Sequence, residues 1–88
     1  MVTLFDWDEA NVGHIANHGI EPFEAEEAVN DASAVSFDAH DKGISGVIGR
    51  TEEGRLVVVI YIVRNGLYRV ITARNASDAE KKIYRRRL

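Results

Sequence analysis

A chain of 88 residues, 45 % hydrophobic and 28 % charged, can bury one modest core, so a single domain over residues 1–88 is expected. With no cysteine, a disulfide frame and thiolate chemistry are excluded. The net charge of −3 conceals a polarity: residues 1–53 hold 12 acidic and 2 basic side chains, residues 54–88 hold 2 acidic and 9 basic. Either the basic half meets an anionic partner or the two halves neutralise each other in the fold.

Residues 1–20 include Asp6, Asp8 and Glu9 and lack a basic start followed by an apolar run, which argues against a signal peptide. The longest apolar run, 56–63, is too short to span a bilayer. A cytoplasmic protein without membrane contact is expected.

In chain order, Thr3–Trp7 reads as a short strand, and Asp8 can cap a helix over 9–18 with Val12, Ile15 and Ala16 inward. Gly19 suits a left-handed helix end. Pro22, the only proline, fits the first turn of a second helix over 22–30, where Glu24, Glu26 and Glu27 suit the helix dipole. Strands follow at 33–38 and 44–51, the latter interrupted by Gly46 and Gly49; glycine there marks a bulge or a close backbone approach. A turn at 52–54 leads to strands 55–63 and 67–73, flanking Asn65-Gly66, a strong hairpin signal. Ser77 with Glu80 three residues on forms a capping box for a closing helix over about 78–86. The fold class is therefore α+β: a short strand, two helices, a four-stranded mainly antiparallel meander and a C-terminal helix. The strand at 56–63 is apolar on both faces and belongs at the sheet centre.

If Asn65-Gly66 is a two-residue turn, Arg64 faces Leu67 and Ile62 faces Arg69. Ile60, Ile62, Arg64, Leu67, Arg69 and Ile71 then share one face. Val59, Tyr61, Val63, Tyr68, Val70, Thr72 and Arg74 share the other. Two neighbouring arginines, Arg64 and Arg69, call either for a bound anion such as phosphate or for salt bridges to Glu24, Glu26 or Glu27. Arg74 can join them only through a bulge or a strand end. The closing helix carries Lys81, Lys82, Arg85, Arg86 and Arg87, either as a solvated basic face or as a phosphate-tracking patch.

These residues in order resemble the BrnT-type toxins: Phe5-Asp-Trp-Asp8, His18-Gly19-Ile20, Phe23-Glu24, Gly49-Arg50-Thr51, Gly54-Arg55, Arg69-Val-Ile-Thr-Ala-Arg74, then Glu80 and Tyr84. The resemblance covers nearly the whole chain. It implies a RelE-like fold and the toxin of a type II toxin–antitoxin pair, a metal-independent endoribonuclease neutralised by a separately encoded antitoxin. It implies operator DNA only through the toxin–antitoxin complex. Carried onto this chain, the catalytic cations are Arg64, Arg69 and Arg74, and the loop histidine is His40. Two departures stand out. The loop after His40 reads Asp41-Lys42-Gly43 in place of a Glu-Arg pair, and Ile62-Val63 stand where many members have threonine.

Metal-free RNA cleavage needs a base for the 2′-hydroxyl, an acid for the leaving oxygen and cations for the transition state. His40 is the natural titrating group. Arg50, Lys81, Lys82 and Arg85 are the expected RNA-binding cations, with Tyr61, Tyr68 or Tyr84 as stacking or weakly acidic groups. His14 and His18 are four apart but lack a third ligand, and no cofactor or metal motif occurs. Two further readings stay open. One is a catalytically impaired module that keeps antitoxin and nucleic-acid binding; the other is a homo-oligomer that uses the doubly apolar strand.

Overall fold

The computed structural model describes residues 3–39 and 43–88. The elements are α1 (Glu9–Ala16), α2 (Pro22–Asn30), β1 (Val35–Asp38), β2 (Ser45–Arg50), β3 (Leu56–Arg64), β4 (Leu67–Asn75) and α3 (Asp78–Arg86). The strands form one antiparallel sheet in the order β1-β2-β3-β4, each joined to its neighbour in sequence. This is the expected α+β meander. Among the described residues the first strand shrinks to a single parallel bridge, Phe5 to Tyr68. Its neighbours are drawn elsewhere: the Trp7 indole donates to Glu26 at 2.7 Å, and Asp8 caps α1 through the backbone N–H groups of Ala10 and Asn11. The first helix stops at Ala16 rather than 18, and the chain turns through Gly19 at φ +73°.

The sheet has two unequal faces. α1 and α2 cover one, over a core of Ile15, Ile20, Ala25, Ala28, Val47, Val57, Val59, Val70 and Ala73. α3 covers only part of the other, where Val35, Ile48, Val58, Ala76 and Tyr84 pack. Val57, Val58 and Val59 are all buried, which is why β3 reads as apolar on both faces and sits between β2 and β4.

Gly49 has a geometric reason: a Cβ there would lie 2.0 Å from the backbone oxygen of Ala28, so α2 rests directly on the β2 backbone. Asn65 and Gly66 both take positive φ, 52° and 77°, as a type I′ hairpin turn requires. That turn sets the expected pairs, Arg64 with Leu67 and Ile62 with Arg69.

The register then shifts. Tyr61 pairs with Val70 but Ile60 pairs with Thr72, so Ile71 is the extra residue of a bulge. Beyond it every side chain changes face relative to the alternation expected from the turn. Thr72 and Arg74 stand opposite Ile60 and Val58, while Ala73 joins the α1–α2 core. The assignment of Thr72 and Arg74 to the Val59 face is thereby corrected, and Arg74 lies on the same face as Arg64 and Arg69.

Candidate functional site

The bulge shares a face among three arginines without bringing them together. Arg64 and Arg69 are diagonal neighbours across the hairpin, about 7–8 Å apart at the backbone. Arg74 stands opposite Val58, six residues along β3 from Arg64, or about 20 Å. Each meets a different partner. Arg64 is exposed and makes no ion pair among the described residues. Arg69 reaches the segment beside β4, at 3.4 Å from Asp6 and 3.0 Å from Asp8. Arg74 forms a two-pronged pair with Glu80 at 2.7 and 2.8 Å.

The expected carboxylate partners, Glu24, Glu26 and Glu27, lie on the other face of the sheet. Glu24 instead holds Arg55 at 3.0 Å, and Arg55 also donates to the Gly19 carbonyl and to Asn75. The Arg74 hydrogen bonds push the Glu80 carboxyl down to about 2, aided by the Ser77 backbone N–H. Glu80 thus serves both as the capping-box residue of α3 and as the anchor of Arg74. The sequence signalled only the first role.

A second cationic group surrounds the β2–β3 turn. Arg55, Lys81 and Arg85 line one hollow of about 200 Å³ with Asn75. Arg50 and Arg85 line an adjoining one of about 170 Å³ with Tyr84 and Leu88. Arg50, Lys81 and Arg85 therefore converge as a group, at the end of the sheet away from Arg64; Lys82 is exposed outside it. Tyr61 and Tyr68 stack on each other at 4.9 Å between centroids, with Phe5 against Tyr68, on the α1–α2 face. They lie across the sheet from the arginines. His40 lies outside the described residues.

Asp31 at the end of α2 is a junction that sequence reasoning missed. Its carboxylate accepts from the Tyr84 hydroxyl at 2.7 Å and from the backbone N–H groups of Ser33 and Arg50. Burial works to raise its pKa, but these hydrogen bonds hold it below the usual carboxylate range; burial and the same contact raise Tyr84. The local signal was modest: an aspartate closing a helix two residues before a serine. Nearby, an open groove of about 660 Å³ is lined by Glu26, Glu27, Asp31 and Glu52 with Phe23 and Arg50, a sign of charge that repels phosphate. No group of three metal-type ligands occurs among the described residues. None of their helices is long and apolar enough to cross a membrane.

A family model described as the ribonuclease toxin BrnT of type II toxin–antitoxin systems matches residues 7–80. The crystal structure of the Brucella abortus ribonuclease toxin BrnT is similar over 88 % of this chain and 100 % of that chain, at 25 % identity and a TM-score of 0.67. No curated protein matches the chain. The family match spans well over half of the sequence, and with the shared fold it places the chain in the BrnT family, ribonuclease toxins that act on RNA and belong with an antitoxin partner in type II systems.

Proposed function

We propose that this chain cleaves RNA without a metal ion at the sheet face that carries Arg64 and Arg69, and that a cognate antitoxin neutralises it by binding the toxin. The observation that carries the reading is the exposed Arg64 beside Arg69 on a sheet face only partly covered by α3. Two guanidinium groups at that spacing suit a phosphodiester, which they can grip through paired N–H donors.

In the reaction the 2′-hydroxyl gives up its proton and attacks the adjacent phosphorus. The bond to the 5′-oxygen breaks, and that oxygen takes up a proton. Arg64 and Arg69 stabilise the negative charge that builds on the phosphoryl oxygens. His40 is the candidate for proton transfer, by its chemistry near neutral pH. The Arg50, Lys81 and Arg85 group, with Lys82, extends the phosphate contacts toward the far end of the sheet. Tyr61 and Tyr68 are candidates for contacts on the α1–α2 face rather than at the phosphate. The protein acts in the cytoplasm, and operator DNA is reached only as part of the toxin–antitoxin complex. A homodimer is compatible with this reading.

The ion pairs favour a second reading. Arg69 is held by two aspartates and Arg74 by Glu80, so a module that binds its antitoxin without cleaving RNA would keep the same arginines for structural reasons. Purified protein incubated with RNA in excess chelator separates the two. Cleavage abolished by Arg64→Ala supports the nuclease. Tight antitoxin binding with no cleavage supports the module.

A further inference from the structure

We infer that Phe37 on β1 is a stacking platform for an unpaired base of the RNA substrate, an inference that rests on the nuclease reading above. The register places Phe37 opposite Gly46, Gly46 opposite Ile60 and Ile60 opposite Thr72, one continuous row across all four strands. A Cβ at Gly46 would stand 2.4 and 2.5 Å from two ring carbons of Phe37, and 3.0 Å from Cδ1 of Ile60. The ring therefore fills the space that any side chain at 46 would need. It leans across β2 toward the sheet centre. Yet it remains 36 % exposed, outside the apolar cluster that α3 seals on this face.

An aromatic ring supported by bare backbone beneath and open to solvent above is suited to base stacking, which tolerates every base because each has a π face. The surroundings agree. The next row on one side ends in Arg69, with Arg64 beyond it, and the next row on the other side ends in Arg74. Phe37 leans over β2, two strand spacings or about 10 Å from the arginine-bearing β4. A base whose phosphate is held by Arg64 and Arg69 would have that distance to cross to reach the ring. Beside the ring, Val35, Ile48 and Ile83 line a largely apolar hollow of about 200 Å³, with Glu80, held by Arg74, at its wall; the hollow can receive the edge of a base. Cations on the β3–β4 hairpin and an apolar aromatic shelf toward the opposite edge match a single strand whose bases are splayed out, not a duplex whose bases are stacked inward.

The test uses two probes. One is a fluorescent 2′-O-methyl oligouridylate of about eight nucleotides, which cannot be cleaved and is of the length one such surface engages. The other is inorganic polyphosphate, which carries charge but no bases. Phe37→Ala and Phe37→Leu should weaken oligonucleotide binding by about 5- to 100-fold, the range of one lost stacking contact. Phe37→Tyr should retain it, and polyphosphate binding should not change in any of the three. Arg64→Ala should weaken both probes. If Phe37→Leu binds the oligonucleotide as tightly as the unaltered protein, or loses both probes equally, the platform is overturned while the arginine site stands. If the unaltered protein binds neither probe, the RNA reading itself fails, and the exposed Phe37 belongs to a protein contact instead.

Discussion

The side-chain amide of Asn11 donates to the backbone carbonyl of Val70 at 3.2 Å, one residue before the bulge in β4. The same amide donates to the Asp6 carbonyl at 2.9 Å, and its oxygen accepts from the Asp8 N–H at 2.8 Å. One buried side chain thus joins the start of α1, the segment beside β4 and the strand irregularity that turns Arg74 onto the arginine face. Asn11→Leu removes all three bonds and leaves buried backbone groups without partners. A loss of about 2–3 kcal/mol is expected, since an unmet buried polar group costs more than the bond itself contributes. The urea midpoint should fall with an unchanged slope. An unchanged midpoint would show that water replaces the amide without cost.

The two glycines of β2 should respond differently to the same added methyl group. At Gly49 the Cβ meets the Ala28 backbone, which cannot move without displacing α2. At Gly46 it meets the outer carbons of the Phe37 ring, which can swing into solvent. Gly49→Ala should cost about 3 kcal/mol or more, and Gly46→Ala about 1 kcal/mol. Thermal unfolding of the two variants side by side checks the order; equal losses would mean that the Phe37 ring is as fixed as the backbone.

What could be read from the sequence follows from how local each signal is. Asn65-Gly66 fixed the hairpin register because the turn type sets the pairing of both strands within a few residues. Pro22 and the Ser77–Glu80 pair marked two helix starts where the structure begins α2 and α3. The bulge carried no such mark: Ile71 lies in a Val-Ile-Thr run without glycine, and Asn11 is 59 residues from Val70. Alternation alone therefore put Thr72 on the wrong face, and could bring Arg74 beside Arg69 only through a bulge or strand end that it could not locate. The partners of Arg69 were hidden for the same reason. Asp6 and Asp8 reach it only because the first segment folds back beside β4, whereas charge balance alone offered the acidic run of α2 as the alternative to a bound anion.

The Arg74–Glu80 pair should appear as an acid-sensitive contribution to stability. The Glu80 carboxyl lies at about 2, below its ordinary 4.5. A lowered folded-state pKa means that the ionised form stabilises the fold above about pH 4.5, and that this contribution is lost as pH falls through about 2. Arg74 is 48 % exposed, so solvent screening limits the pair to about 1 kcal/mol. Glu80→Gln can still cap α3 and isolates the charge. Urea midpoints measured between pH 2 and pH 7 should converge for the two proteins at the acid end and separate toward neutrality. Parallel curves would assign the pair no net worth.

Arg64 and Arg74 should separate function from stability. Arg64 is exposed and unpaired among the described residues, so Arg64→Ala should leave the urea midpoint within about 0.5 kcal/mol, as for most surface substitutions. As a cation at the reacting phosphate it should cost about 100-fold in single-turnover RNA cleavage, the loss typical of removing one transition-state donor. Arg74→Ala should do the reverse: it leaves Glu80 without its pair and lowers stability by about 1 kcal/mol, with a much smaller effect on the rate because Arg74 stands about 20 Å along the sheet from Arg64. Measuring both variants at saturating protein removes differences in binding from the comparison. If Arg74→Ala loses the cleavage rate and Arg64→Ala keeps it, the reacting phosphate lies at the α3 end of the sheet, beside Arg50, Lys81 and Arg85, and the Arg64–Arg69 pair is a binding contact only.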